Sequence, residues 1–177
     1  LFSEALTPLL SEGTIPMEHE LIRQIDRVIE ITHNYDKDYQ DVISRCLGIM
    51  SEGMIFYQNL KNREGLKTLK ELDDYCYFVA GVVGEMLTDL FCLHLPKALS
   101  SRKEDMLKLA ISFGQGLQMT NILKDIWDDQ SRGVCWLPKD VFEHYGFDLA
   151  LLQQGQINGD FHEGLNHMIG IAHTHLE

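Results

Sequence analysis

Apolar residues return every three or four positions along most of this chain, the period of a helix buried on one side. Strand-type alternation is nearly absent. After a loop at Ser11-Glu12-Gly13-Thr14-Ile15-Pro16, the pattern predicts a helix from about Glu18 to His33 with Leu21, Ile22, Ile25, Val28 and Ile29 on its apolar side. Asn34-Tyr35-Asp36 interrupts it. A second helix is predicted from about Lys37 to Leu60, turning Val42, Ile43, Cys46, Leu47, Met50, Met54 and Tyr57 inward. Residues 61–68 are mostly polar, contain a glycine and read as a loop. A third helix runs from about Leu69 to His94. A fourth begins after Pro96 and Ser100-Ser101 and continues to about Asp129, where Gln130-Ser131-Arg132-Gly133 breaks it. Pro138 suits the start of a short helix, and Phe161 to Leu176 is helical again, with Leu165, Met168, Ile169 and Ile171 apolar. The pattern describes a single all-α domain of stacked helices over residues 1–177.

Two of these helices carry candidate chemistry. Asn121, Asp125 and Asp129 are spaced by four, which stacks three oxygen-bearing side chains along one helix face. Two carboxylates and an amide suit a hard cation such as magnesium, which keeps waters and shares its shell with substrate phosphates. The stripe leaves a largely apolar helix that also carries Gln118, and buried amides there need partners. The other helix contains Tyr75-Cys76-Tyr77-Phe78-Val79-Ala80-Gly81-Val82-Val83-Gly84. Glycines inside a helix cost about 1 kcal/mol each against alanine and usually admit a close neighbour, either another helix or a ligand. Positions 75, 79, 83 and 87 form one apolar stripe with a phenol at its end, and Gly114 and Gly116 repeat the theme on the helix of Gln118. The bland alternative is a tight helix–helix crossing. The sharper one is a greasy slot with a magnesium–diphosphate mouth, fitted to an isoprenyl diphosphate.

Composition narrows the classes. A net charge of −12 argues against nucleic acid and against simple adhesion to anionic lipid. The longest apolar runs fall short of the roughly 20 residues of a membrane span, and Leu1-Phe2-Ser3-Glu4 has no basic n-region of a signal peptide. Cys46, Cys76, Cys92 and Cys135 have no Cys-x-x-Cys spacing and read as free thiols of a reducing compartment, so a cytoplasmic location is expected. His173-x-His175 splays around a helix and gives no metal site.

The stretches Asp74 to Gly84 and Gln118 to Asp129, in that order, resemble the signatures of the squalene/phytoene synthase family, enzymes that join two prenyl diphosphates head to head. Arg132-Gly133-Val134-Cys135-Trp136-Leu137-Pro138 is similar to the segment that follows the second signature. Tyr39 to Ile43 and Gly48 to Met54 resemble the squalene-synthase side of the family. The resemblance implies an all-α isoprenoid synthase fold around a central hydrophobic cavity. It implies that Asn121, Asp125 and Asp129 hold Mg2+ bound to diphosphate, with Gln118 near the reacting carbons. Tyr75 would handle the proton or the cation, so the implied catalytic set is Tyr75, Gln118, Asp125 and Asp129. Val79, Val83, Gly84, Leu87, Gly114 and Leu117 would line the prenyl tunnel, and Lys124 would meet substrate. NADPH enters only if the product is squalene, and no Gly-x-Gly-x-x-Gly follows a strand here. Greasy products imply peripheral contact with a membrane; the oligomeric state is not encoded.

The chain departs from the family pattern in four ways. A first Asp-rich motif is not found; Asp36-Lys37-Asp38 and Asp73-Asp74 stand in the wrong context. The family's last helices are missing after Glu177. Lys124 stands where many members have arginine, which loses the bidentate fork. Val134 replaces a residue that is basic in many members. The expectation is therefore the middle and later part of a longer synthase, with half a metal cradle and no turnover alone. Its rivals are an inactive family member serving as a binding or assembly protein, and a plain helical bundle without a ligand.

Overall fold

The computed structural model describes residues 1–60 and 62–177; Lys61, inside the expected loop at 61–68, lies outside the described residues. All named elements are helical, and the described residues contain one isolated bridge, between Leu66 and Pro138. Two compact units are found, Leu1–Ile43 and Ser44–Glu177.

In the first unit, helix α1 (Phe2–Leu6) packs against α2 (Pro16–His33). The Asp26 carboxylate accepts from the Phe2 amide at 2.8 Å and from the Ser3 amide and hydroxyl. Those hydrogen bonds, that of the Ser3 hydroxyl foremost, hold the Asp26 carboxyl below its usual range. Pro16 opens α2 two residues before the predicted start, because its fixed φ suits a first helical turn. No residue of α2 is fully buried: Ile22, Ile25 and Ile29 are partly covered, and Leu21 and Val28 are exposed, so the predicted apolar side is real in pattern but only partly covered. Helix α1 was not predicted, since five residues are too few to show a period.

Helix α3 (Lys37–Gln58) continues into the second unit. There Cys46 and Tyr57 are buried, whereas Leu47, expected inward, is 57% exposed. Helix α4 (Leu69–Cys76) starts at Thr68, whose hydroxyl accepts from the Glu71 amide while the Glu71 carboxylate accepts from Lys67 N–H. It runs through a π turn, Tyr77–Gly81, into α5 (Val82–His94). In that turn Val82 N–H reaches back five residues to Tyr77 O. Helix α6 (Pro96–Leu99) leads to α7 (Lys103–Lys124), which packs along α5 and the π turn. The predicted helix to Asp129 is broken at Asp125 (φ −101°, ψ 15°) and resumes as α8 (Ile126–Ser131). After Gly133 (φ +78°) come α9 (Lys139–His144) and α10 (Gly159–Leu176), which lies on α7. The core joins Leu72, Cys76, Met119, Ile122, Phe142, Phe161 and Met168. Ile169, predicted apolar-side, is half exposed.

One expectation is corrected. The continuous helix Leu69–His94 is long and apolar enough to cross a membrane by length and composition, although no single apolar run in the sequence is. Glu85 and Asp89 interrupt those runs, but they share one helix face, where Arg45 (3.5 Å to each) and Lys103 (2.8 Å to Asp89) meet them.

Candidate active site

A cavity of about 500 Å³ opens beside the break in α7–α8. Tyr75, Gln118, Asn121, Asp125 and Asp129, all predicted from the sequence, line it together. The backbone explains how three residues stay in register across a kink. Asp125 N–H donates to Asn121 O at 2.9 Å, and Asp129 N–H donates to Asp125 O at 2.9 Å. The stripe therefore keeps its four-residue step although Asp125 itself leaves helical geometry. Gln118 is half-buried and Asn121 is exposed. Asp129 is buried, and that burial pushes its carboxyl above the ordinary carboxylate range despite the Arg132 guanidinium 2.6 Å away. Lys124 is not in the wall; its ammonium lies 3.6 Å from Asp125 and is largely exposed.

The rest of the wall escaped sequence reasoning as site residues: Met54, Tyr57, Gln58, Ile122, Arg132, Val134 and Trp136. Trp136 stacks on Tyr75 with ring centroids 4.1 Å apart and planes 6° from parallel, and Tyr57 meets Tyr75 edge-on at 5.0 Å. The loop carrying Trp136 is pinned by Asn62, whose side-chain amide donates to Cys135 O at 2.9 Å while Cys135 N–H donates to Asn62 O at 2.9 Å. Leu66 N–H to Leu137 O (2.9 Å) continues the tie. The sequence signal was present, because the loop directly follows the acid stripe, but which side chains return to the cavity depends on the pairing with residues 62–66.

Burial pushes the phenols of Tyr57, Tyr75 and Tyr77 up to about 12, the Tyr77 hydroxyl also donating to Glu85 at 2.8 Å. Tyr75 is thus held in its neutral form at ordinary pH. Folded-state values above the ordinary 10 mean that these phenols favour folding fully below about pH 10 and lose that contribution as pH rises toward about 12. An ultraviolet titration should show phenol ionisation in a step near pH 12, and Tyr75→Phe should remove amplitude from that step. Amplitude lost from a step near pH 10 instead would contradict the burial of Tyr75.

A second cavity, about 660 Å³, is an apolar groove between α5 and α7. All six predicted tunnel residues, Val79, Val83, Gly84, Leu87, Gly114 and Leu117, line it. The expected stripe is divided: Tyr75 faces the polar cavity, and positions 79, 83 and 87 face the groove. The two cavities lie on consecutive stretches of the same helices, Leu117 lining one and Gln118 the other. The glycines also serve the crossing that was the bland alternative. A Cβ on Gly84 would stand 2.3 Å from Ala110 O, and one on Gly114 would stand 2.6 Å from Ala80 O. Close backbone approach and an open groove are thus products of the same small residues.

Among the described residues no cluster of three His, Cys, Asp or Glu side chains is arranged to hold a metal. Two carboxylates and an amide around an open cavity still match magnesium, which binds through one or two carboxylates and takes the rest of its shell from water and phosphate.

A sequence profile described as squalene/phytoene synthase matches residues 2–177. The chain is 34% identical over 143 residues to the squalene synthase of Cyberlindnera jadinii, covering 78% of this chain and 32% of that protein. It is 30% identical over 162 residues to the squalene synthase of Eremothecium gossypii, covering 90% and 36%. The structure of TcSQS with a bound ligand superposes with a TM-score of 0.76 at 30% identity, over 94% of this chain and 48% of that one. A dehydrosqualene synthase in complex with ligand gives 0.61 at 27% identity, over 74% and 42%. The chain spans about a third of the length of these curated relatives.

Proposed function

The chain belongs to the squalene/phytoene synthase family, and from that premise we propose that it supplies one half of the diphosphate site and one wall of the prenyl tunnel of a head-to-head prenyltransferase. The observation that carries this reading is the succession along α7 and the continuous helix Leu69–His94 of a carboxylate-lined cavity and an apolar groove, one suited to a diphosphate and the next to its hydrocarbon tail. Asn121, Asp125 and Asp129 would hold magnesium, which when bound neutralises the departing diphosphate. Gln118 would lie beside the reacting carbons. A ring face of the Tyr75–Trp136 pair that is open to the cavity, not the faces stacked on each other, would stabilise an allylic cation by about 0.5–2 kcal/mol per contact. The apolar wall from Val79 to Leu117, closed by the rest of the synthase, would keep water from quenching it. Lys124, next to Asp125, would offer its charge to the diphosphate at the rim. Farnesyl diphosphate is the favoured substrate, NADPH is the reductant if the product is squalene, and the setting is cytoplasmic with peripheral membrane contact through the greasy product.

Product analysis of the complete gene product with farnesyl and geranylgeranyl diphosphate, with and without NADPH, tests the proposal. A thirty-carbon hydrocarbon from farnesyl diphosphate is the expected result, with no turnover from the 177-residue chain alone. No product from either substrate would favour the inactive-scaffold reading. Turnover by the 177-residue chain at an ordinary enzyme rate would refute the half-cradle.

A further inference from the structure

The wall of the polar cavity holds two carboxylates and, among the described residues, one cation, Arg132. Its guanidinium lies 2.6 Å from Asp129 Oδ1, on a side chain that is 68% exposed and tethered at one point. Asp129 by contrast is only 13% exposed at its side chain. Arg132 caps the C-terminus of α8, its own N–H donating to Asp128 O and Asp129 O, and the left-handed Gly133 that follows turns the chain back along the cavity. Val134, two residues on, lines the same wall without a charge. An exposed arginine three residues from an acid is often only a surface pair. Here the acid is buried, lines a cavity and belongs to the stripe proposed to hold magnesium, so the two cations compete for one carboxylate.

We propose that Arg132 is an exchangeable partner of Asp129: it occupies the carboxylate while the site is empty, and on arrival of magnesium and diphosphate it gives up Asp129 and grips diphosphate oxygens. The proposal rests on the magnesium–diphosphate reading of this site. It assigns Arg132 a positioning and binding role that the chain's apolar Val134 cannot fill. A guanidinium suits the task, since its planar fork matches either a carboxylate or a phosphate with two parallel hydrogen bonds.

The exchange has a signature that a purely structural role lacks, namely effects of opposite sign in one variant. Titration calorimetry on the complete gene product would use magnesium alone and then inorganic diphosphate in excess magnesium. With Arg132→Gln, magnesium alone should bind up to about fivefold more tightly, because a competitor has gone. Magnesium diphosphate should bind about tenfold more weakly, because a charge-assisted hydrogen bond has gone. Arg132→Lys should recover part of the diphosphate affinity, a point charge replacing a fork. Shifts of the same sign in both titrations, or none in either, overturn the exchange. If diphosphate binding is lost in Asp129→Ala but unmoved in Arg132→Gln, only this inference fails. If the unaltered complete protein binds no magnesium diphosphate, the underlying reading fails and takes the inference with it.

Discussion

Asp125→Ala and Asp129→Ala should each abolish magnesium-dependent binding of diphosphate while leaving the helices folded. Each variant removes one of two carboxylates lining the cavity. Loss of a group merely supporting a metal ligand costs roughly 10–100-fold in affinity, so loss of the ligand itself should exceed about a hundredfold. The stability half of the result follows from the sign of the Asp129 shift. Burial raises its folded-state pKa, so the folded chain prefers the neutral acid. The contribution of this group to folding is therefore fullest at low pH and is lost as pH rises through the folded-state value. At neutral pH the ionised carboxylate strains the fold, and Asp129→Asn should melt no lower than the unaltered chain while binding no magnesium diphosphate. Metal affinity should likewise fall as the solution is acidified, because the ligand is the carboxylate and not the acid. Calorimetric titration paired with thermal melts reads both halves. Unchanged affinity in both alanine variants would remove the acid stripe from the site altogether.

The largest stability losses are expected at Gly84 and Gly114. A methyl group on Gly84 would stand 2.3 Å from Ala110 O and 2.7 Å from Ala110 C. On Gly114 it would stand 2.6 Å from Ala80 O, 2.8 Å from Ala80 C and 3.0 Å from Gly81 Cα. These are backbone atoms of packed helices and cannot swing aside as a side chain can, so α5 and α7 must move apart. Overpacking of this kind costs about 1–3 kcal/mol, occasionally more, against a helix-propensity gain of at most about 1 kcal/mol for alanine. A net loss near 2 kcal/mol should lower the melting temperature by roughly 4–8 °C in a chain of this size. Gly48 in α3 is the control, since a Cβ there meets nothing within 4 Å. Gly48→Ala should gain up to about 1 kcal/mol. A melt in which all three variants move upward would show that the crossing is looser than described.

Local order and distant contacts differ in how far the amino-acid sequence displays them. Local regularities were legible: the helical class, the cap at Pro138, and the stripe Asn121, Asp125, Asp129, because four-residue spacing on a helix is a property of neighbours. Positions 79, 83 and 87 and the glycines beside them were legible for the same reason, since helical glycines cost stability unless something comes close, whereas Leu117 came from the family resemblance alone. Much of what was missed needs distant parts of the chain. Trp136 enters the cavity because residues 62–66 pair with residues 135–139, an arrangement no local window contains, whereas Arg132 sits only three residues from Asp129 and was within local reach. Leu47 and Val28 fit the apolar pattern yet stay exposed, since a pattern states which face is greasy and not what covers it. The kink at Asp125 was invisible because its hydrogen bonds on either side keep the ordinary step.

The π turn at Tyr77–Gly81 has a mechanical consequence. Regular α winding advances about 100° per residue, so side chains four apart creep sideways by about 40° at each step. Between Tyr75 and Leu87, three such steps amount to roughly a third of the circumference. A turn closed over five residues winds more slowly and takes back part of that creep. It works like a vernier, and its length, more than the identity of its side chains, sets the angle between the phenol, which faces the polar cavity, and the oily wall, which faces the groove. Shortened by one residue, the rod would keep every atom of its chemistry and aim half of it the wrong way.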